Sequence, residues 1–121
     1  MRILTVDTWA WVEYFKGNQA LKTYIEENSL ITPSIVLGEF TRTLLQKGNS
    51  QRETQKCASF IKTKSTIRPL DETNAEKSGV TAFDEKLPFA DGVIYSYASA
   101  EAPLLTGDPH FKNKKNVEFI E

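Results

Sequence analysis

The sequence has very little of several features that would assign a protein to a class at once. Its 121 residues include one cysteine, Cys57, which excludes an internal disulfide and a multi-cysteine metal site. No apolar run approaches the roughly 18 residues needed to span a bilayer. The first residues lead into a strand pattern, without the basic, apolar and cleavable regions of a signal peptide. These absences favour a protein of the reducing cytoplasm with no membrane partner.

A strong charge of either sign is also missing. The net charge is −1, so composition does not indicate nucleic-acid binding. The basic residues are uneven, however, with one group in the middle of the chain and one near its end: Lys47, Arg52, Lys56, Lys62, Lys64, Arg68, then Lys112, Lys114 and Lys115. Such groups are usually solvated faces, and the alternative is that either group contacts phosphates.

What the sequence does have is an alternation of apolar strand patterns and amphipathic helix patterns. The length and the hydrophobic content of 40% suit one domain, residues 1–121, that buries a core. The predicted strands are residues 2–7, 30–32, 66–70, 103–106 and 117–120. The predicted helices begin near residues 8, 18, 33, 50 and 88, and one more begins at Asp71 or Thr73. Strands separated by helices imply parallel pairing, and therefore a three-layer α/β/α sandwich around a five-stranded parallel sheet.

Four acidic residues are placed to converge at one edge of this sheet. Asp7 and Asp108 directly follow the first and fourth strand patterns, and sites in such folds lie beyond the carboxyl ends of the strands. Glu39 lies in the third helix and Asp91 in the first turns of the sixth. A carboxylate in apolar surroundings is costly unless it is paired or holds a cation, and none of the four has an adjacent Lys or Arg. Oxygen-only ligands select Mg²⁺ or Mn²⁺ over zinc.

Each of these acids also has a purely structural interpretation. Asp7 suits the N-cap of the first helix, and Glu39 lies one turn from Arg42, with which it could form an ion pair. Asp91 is favoured by the dipole of its own helix, and Asp108 is a turn residue in Gly-Asp-Pro. The four together are more specific than any one, and a metal held this way suits hydrolysis of a nucleic-acid backbone.

Three further residues are candidates for supporting this site. Thr106, two residues before the last acid, could point to the same side and hold a carboxylate or a metal-bound water. Arg42 could contact a scissile phosphate or pair with Glu39. Gly92 inside a helix costs about 1 kcal/mol against Ala, which indicates the close approach of another element or of a substrate.

His110 and the two tryptophans are interpreted differently. No partner that would orient His110 for proton transfer is evident, so it is not assigned a catalytic role. Trp9 is expected in the core. Trp11, on another face of the first helix, is expected at a partner surface, where aromatic residues are enriched.

At these residues the chain resembles PIN-domain ribonucleases of the kind that serve as toxins in VapBC toxin–antitoxin modules. Four segments match in the family's order: Val6–Thr8, Leu37–Phe40, Leu87–Ile94 and Leu105–Phe111. The resemblance implies an Mg²⁺- or Mn²⁺-dependent endoribonuclease with helices on both sides of its sheet. Asp7, Glu39, Asp91 and Asp108 match the family's metal-binding acids. Some relatives carry a further acid two residues after the last of these, where this chain has His110.

The resemblance also implies partners: an RNA substrate, a cognate antitoxin protein and a second copy of the chain in a homodimer. The alternative is a catalytically silent PIN-like scaffold that binds a protein or RNA. A missing acid would favour that alternative, and none of the four is missing.

Overall fold

A computed structural model describes the whole chain, Met1–Glu121, as strands alternating with one or two helices. The strands are β1 Ile3–Val6, β2 Ser29–Pro33, β3 Thr66–Arg68, β4 Leu104–Thr106 and β5 Val117–Phe119. The helices are α1 Thr8–Phe15, α2 Gln19–Glu26, α3 Ser34–Gln46, α4 Gln51–Lys64, α5 Glu72–Glu85 and α6 Phe89–Tyr95, followed by a short 3-10 helix, Pro109–Phe111. None of these helices has the length and apolar character needed to cross a membrane.

The strands form one parallel sheet in the order β3-β2-β1-β4-β5, which confirms the five-stranded parallel sheet. From β1 the chain builds outward through β2 and β3, and it then returns to add β4 on the other side of β1. In the register of the central pair, Val6 lies opposite Leu105. The strand order therefore reverses between β1 and β4, where open α/β sheets form a crevice.

Helices lie on both faces of this sheet because the direction of strand addition changes. Crossovers between parallel strands are right-handed, so the connections that build toward β3 and the return to β4 fall on opposite faces. The result is the predicted three-layer α/β/α sandwich. Most fully buried strand residues are apolar, including Leu4, Val6, Leu104 and Leu105, as strands covered on both faces require. Three threonines, Thr5, Thr32 and Thr106, are fully buried as well.

The expectation that Trp11 lies at a partner surface is wrong. Its side chain is fully buried, and its indole N–H donates to Thr32 Oγ1 at 3.1 Å. The reason is that α1 packs against α2, α3 and β4 at once. A helix enclosed by several elements is apolar nearly all round, so helical spacing does not tell its inner face from an outer one. Trp9, expected in the core, is only partly buried and packs against the core from the edge of the sheet.

The predicted start of the third helix shifts by one residue. Pro33 ends β2, and α3 begins at Ser34 rather than at the proline. Helix α6 ends at Tyr95, and the backbone N–H groups of Tyr97 and Ala98 then bond to the carbonyls three residues before them, which is the tighter 3-10 pattern. Phe60 remains 39% exposed at the edge of an aromatic cluster with Trp11.

An apolar surface remains open on α5 and at the start of α6. Val80, Phe83 and Phe89 are 62%, 83% and 57% exposed. Helix α5 meets α6 through small side chains instead: Ser78 is fully buried, and its hydroxyl lies 3.3 Å from that of Ser96. The two helices thus pack closely, and the large apolar side chains of α5 point away from the core.

Candidate functional site

The structure brings the four predicted acids together in one open cleft of about 380 Å³. Asp7 and Asp108 follow β1 and β4, the two central strands between which the strand order reverses. Glu39 comes from α3, and Asp91 from α6. The remaining polar lining is contributed by Thr8, Glu13, Arg42, Thr43 and Lys47. Acids that are up to 101 residues apart in sequence therefore share one solvent-accessible surface.

Asp7 lies at the bottom of the cleft and is held on both oxygens. Oδ1 accepts a hydrogen bond from the Thr8 backbone N–H at 2.8 Å, so the predicted N-cap is present. Oδ2 accepts one from the Thr106 hydroxyl at 2.6 Å. Its side chain is buried, and this burial raises the pKa of Asp7 from 3.8 to about 7, with the nearby charges of Asp108 and Asp91 adding to the rise. The hydrogen bond from Thr106 acts in the opposite direction, because it favours the ionised form.

Asp91 and Asp108 face each other across the mouth of the cleft. Burial raises the pKa of Asp91 from 3.8 to about 6, and the negative charge of Asp108 contributes as well. Asp108 also has the structural role expected of it, since its Oδ1 accepts from the His110 backbone N–H at 3.0 Å and caps the 3-10 helix. The Thr106 hydroxyl accepts from the Asp108 backbone N–H at 3.0 Å. Thr106 therefore links the two acids that follow β1 and β4.

Glu39 does not form the ion pair with Arg42 that sequence alone allowed. Its Oε1 accepts a hydrogen bond from the Thr8 hydroxyl at 2.8 Å, which ties α3 to the start of α1. Arg42 forms no ion pair in the structure and lines the cleft beside Glu39. A guanidinium without an ion-pair partner therefore lies in the cleft beside the acids.

His110 belongs to this cluster, and sequence reasoning missed it. Its Nδ1 lies 3.1 Å from Asp91 Oδ2 and 3.1 Å from Asp108 Oδ1. One signal was present: His110 follows Asp108 by two residues in a turn, which returns a side chain toward the acid. The second partner, Asp91, is contributed by a different helix, so the absence of an orienting partner was a wrong inference from local sequence.

The donor set of this cleft fits a divalent cation. Asp91, Asp108 and His110 each offer one ligand atom, and these atoms lie within 4.8 Å of one another. The raised pKa values of Asp7 and Asp91 show that burial and mutual repulsion oppose ionisation of the acids. A cation bound among them would offset that repulsion, and hard oxygen donors suit Mg²⁺ or Mn²⁺. No Lys or Arg forms an ion pair with any of the four acids.

Gly92 accounts for the position of Asp91, because α6 and α5 touch at this glycine. A Cβ added at Gly92 would lie 2.5 Å from Ala82 Cβ and 2.9 Å from Ala82 Cα. The glycine predicted to permit a close approach therefore does so, and the approaching element is α5. Any larger residue would push apart the two helices and move the neighbouring Asp91.

We therefore expect Gly92→Ala to lower the free energy of unfolding by about 1–3 kcal/mol, as overpacking does. The matched control is Gly79→Ala in α5, where an added Cβ meets nothing within 4 Å. There the higher helix propensity of Ala should raise stability by up to about 1 kcal/mol. Urea unfolding of both variants checks the contrast, and equal effects at the two positions would contradict the assigned contact.

Comparison with known proteins identifies the fold. No protein-family model matches the sequence, and the comparison with curated proteins gave no match. Solved structures do match. A toxin–antitoxin complex from Klebsiella pneumoniae matches at 20% identity (TM-score 0.75, 94% of each chain covered). VapBC2 from Rickettsia felis, bound to a DNA fragment from the promoter, matches at 21% identity (TM-score 0.71, 98% of this chain and 97% of that chain). VapBC-5 from Mycobacterium tuberculosis matches at 16% (TM-score 0.63, 100% and 99%).

The chain has the fold found in these toxin–antitoxin structures. The PIN-like α/β architecture expected from the sequence resemblance is therefore confirmed over almost the whole chain. At these identities the likeness establishes the fold, and the function has to be argued from the cleft.

Proposed function

We propose that this protein is a metal-dependent endoribonuclease that hydrolyses RNA phosphodiester bonds, and that it is the toxin of a toxin–antitoxin pair. The observation that carries the proposal is the convergence of Asp7, Glu39, Asp91 and Asp108 on one open cleft. These are the positions that match the metal-binding acids of PIN-domain ribonucleases. Their cleft opens at the carboxyl ends of β1 and β4, where α/β folds bind their ligands.

Asp91 and Asp108 are the acids best placed to hold a divalent Mg²⁺ or Mn²⁺ ion, with Asp7 beneath them and Glu39 binding directly or through water. When bound, such an ion lowers the pKa of a coordinated water and offsets the charge of the phosphodiester. Asp7 is kept in place by Thr106 and by the start of α1. Because these contacts come from the backbone and from a buried hydroxyl, the carboxylate is oriented before any ligand arrives.

Arg42 and Lys47 give the cleft its affinity for RNA in this proposal. Both line the cleft, and neither forms an ion pair within the chain. A guanidinium binds phosphate oxygens through two parallel hydrogen bonds, so Arg42 beside Glu39 can hold the scissile phosphate near the acids. These two cations also allow a chain of net charge −1 to bind a polyanion.

Cleavage of RNA by the purified protein tests the proposal. We expect cleavage with millimolar Mn²⁺ or Mg²⁺ and none in excess EDTA, with activity restored when metal is added back. Metal bound only by the folded state should also raise the free energy of unfolding by about 2.7 kcal/mol at a hundredfold excess over its dissociation constant. Binding of RNA or protein without metal-dependent cleavage would support the silent-scaffold alternative.

An antitoxin partner follows from the same proposal, because a nuclease that acts on cytoplasmic RNA needs restraint. Complexes of toxin and antitoxin are among the solved structures that share this fold. We propose that a small protein encoded next to this one inserts a basic side chain near the acids and displaces metal or substrate. Cleavage that continues unchanged in saturating neighbour protein would exclude this inhibitor.

A homodimer is the second proposed assembly, and the exposed apolar surface of Val80, Phe83 and Phe89 is the candidate contact. Exposed aromatic side chains that cluster on one face are typical of interfaces. Sedimentation of wild type and Phe83→Ser checks this: a dimer that persists unchanged in the variant places the contact elsewhere.

A further inference from the structure

The only histidine of the chain, His110, is fixed beside two of the acids in the cleft. Its backbone N–H donates to Asp108 Oδ1 at 3.0 Å, and the next residue, Phe111, is fully buried and anchors the 3-10 helix to the core. The imidazole itself is 58% exposed at the cleft mouth. Its Nδ1 faces inward, 3.1 Å from Asp91 Oδ2 and 3.1 Å from Asp108 Oδ1.

The spacing of these three atoms matches the spacing of ligands around one ion. Adjacent ligands of an octahedral ion at about 2.1 Å lie about 3 Å apart. Nδ1 has this separation from Asp91 Oδ2 and from Asp108 Oδ1. One ligand atom from each of the three residues lies within 4.8 Å of the other two. The three residues belong to two elements, α6 and the turn after β4, which the core holds in place.

We propose that His110 is a nitrogen ligand of the divalent-cation site, together with Asp91 and Asp108. The inference rests on the proposed metal site and goes beyond the four acids that define it. Neutral imidazole binds an ion through Nδ1 when its proton is on Nε2. Carboxylate and water oxygens suit Mg²⁺ and Mn²⁺ alike, whereas an imidazole nitrogen suits transition ions better than it suits Mg²⁺. The site therefore prefers transition ions, Mn²⁺ among them, to Mg²⁺.

Pulsed electron paramagnetic resonance of bound Mn²⁺ tests this ligand without RNA and without turnover. We expect nitrogen coupling from an imidazole in the untagged wild-type protein and its loss in His110→Ala. Because the chain contains one histidine, the coupling has a single possible imidazole source. Lys112→Ala, an exposed change two residues away, is the control that should keep the coupling. His110 is exposed, and a melting curve without metal verifies that the variant is folded.

Metal affinity provides the second measurement. His110→Ala should weaken Mn²⁺ binding by about tenfold or more, on the scale seen for groups that directly support a metal site. Mg²⁺ binding, measured by competition against Mn²⁺, should change much less. Equal weakening of both ions would overturn the proposed preference for transition ions.

A variant of an acid separates failure of this inference from failure of the proposed function. Suppose that Asp91→Asn abolishes Mn²⁺ binding while the wild-type spectrum lacks imidazole coupling. His110 is then only a hydrogen-bonding neighbour, and this inference is wrong while the metal site stands. If Asp91→Asn binds Mn²⁺ as tightly as wild type, the metal site and the role of His110 are both overturned. Imidazole coupling that disappears in His110→Ala, with a larger loss for Mn²⁺ than for Mg²⁺, is the result we expect.

Discussion

Asp91→Asn should reduce RNA cleavage by at least about a hundredfold and leave the metal-free protein as stable as wild type or more stable. Even groups that only support a metal ligand contribute tenfold to a hundredfold, and Asp91 is proposed as a direct ligand. Burial and the charge of Asp108 raise the pKa of Asp91 to about 6, so ionisation of this carboxyl group is unfavourable in the metal-free protein. Asn keeps the shape of the side chain and removes that charge.

A structural role for Asp91 predicts the opposite pair of results. An acid that served only the helix dipole would lose stability on neutralisation and keep its activity. Asp84→Asn is the matched control, since Asp84 is an exposed acid of α5 outside the cleft and without an ion pair. It should cleave RNA at the wild-type rate. Cleavage rates and metal-free unfolding, measured on the same preparations, decide between the two roles.

The metal-free protein should lose stability as the pH rises from about 4 to above 7. The pKa of Asp7 is about 7 in the folded chain, whereas an Asp side chain in an unfolded chain has its ordinary pKa of 3.8. Between these values the folded state holds a proton that the unfolded state has lost, so stability falls as the pH rises. This difference in pKa corresponds to a change of roughly 4 kcal/mol in the free energy of unfolding. The protonated side chain of Asp7 makes its full contribution to the free energy of unfolding below pH 3.8. That contribution is lost once the pH passes about 7.

The difference between wild type and Asp7→Asn isolates this effect. Hydrogen bonds lower the pKa values of Glu13 and Glu53, so these two acids make the folded state more stable as the pH rises. Their effect is the same in wild type and in Asp7→Asn, and it cancels in the difference. We expect Asp7→Asn to gain stability relative to wild type as the pH rises, and saturating Mn²⁺ to stabilise wild type more at pH 8 than at pH 5. A difference that stays constant from pH 4 to pH 8 would show that the Asp7 carboxylate carries no such penalty.

The fold could be predicted from the sequence because its strands are short apolar runs separated by helix patterns. The runs at Ile3–Val6 and Leu104–Thr106 are too short for helices and too apolar for exposed loops, and parallel pairing follows from the helices between them. The orientation of α1 could not be predicted in this way. Three elements cover that helix, so Trp11 is buried on a side where a surface helix would meet solvent.

The site could be predicted in part for a related reason. Asp7 and Asp108 follow strands whose ends must share one edge of the sheet. Glu39 and Asp91 were candidates as acids with no adjacent Lys or Arg, and the family resemblance matches all four. The contacts around them depend on tertiary structure. Sequence alone allowed an ion pair between Glu39 and Arg42, whereas in the fold Glu39 accepts a hydrogen bond from Thr8. It left His110 without a partner, whereas α6 brings Asp91 to within 3.1 Å of it.

Anomalous diffraction from crystals soaked in Mn²⁺ tests the central claim most directly, because it locates the ion without relying on a substrate. We predict an anomalous peak in the cleft, within bonding distance of the carboxylates of Asp91 and Asp108. The peak should be lost in crystals of Asp91→Asn prepared in the same way. A cleft that shows no peak at saturating Mn²⁺, or a peak that survives in Asp91→Asn, would contradict the account.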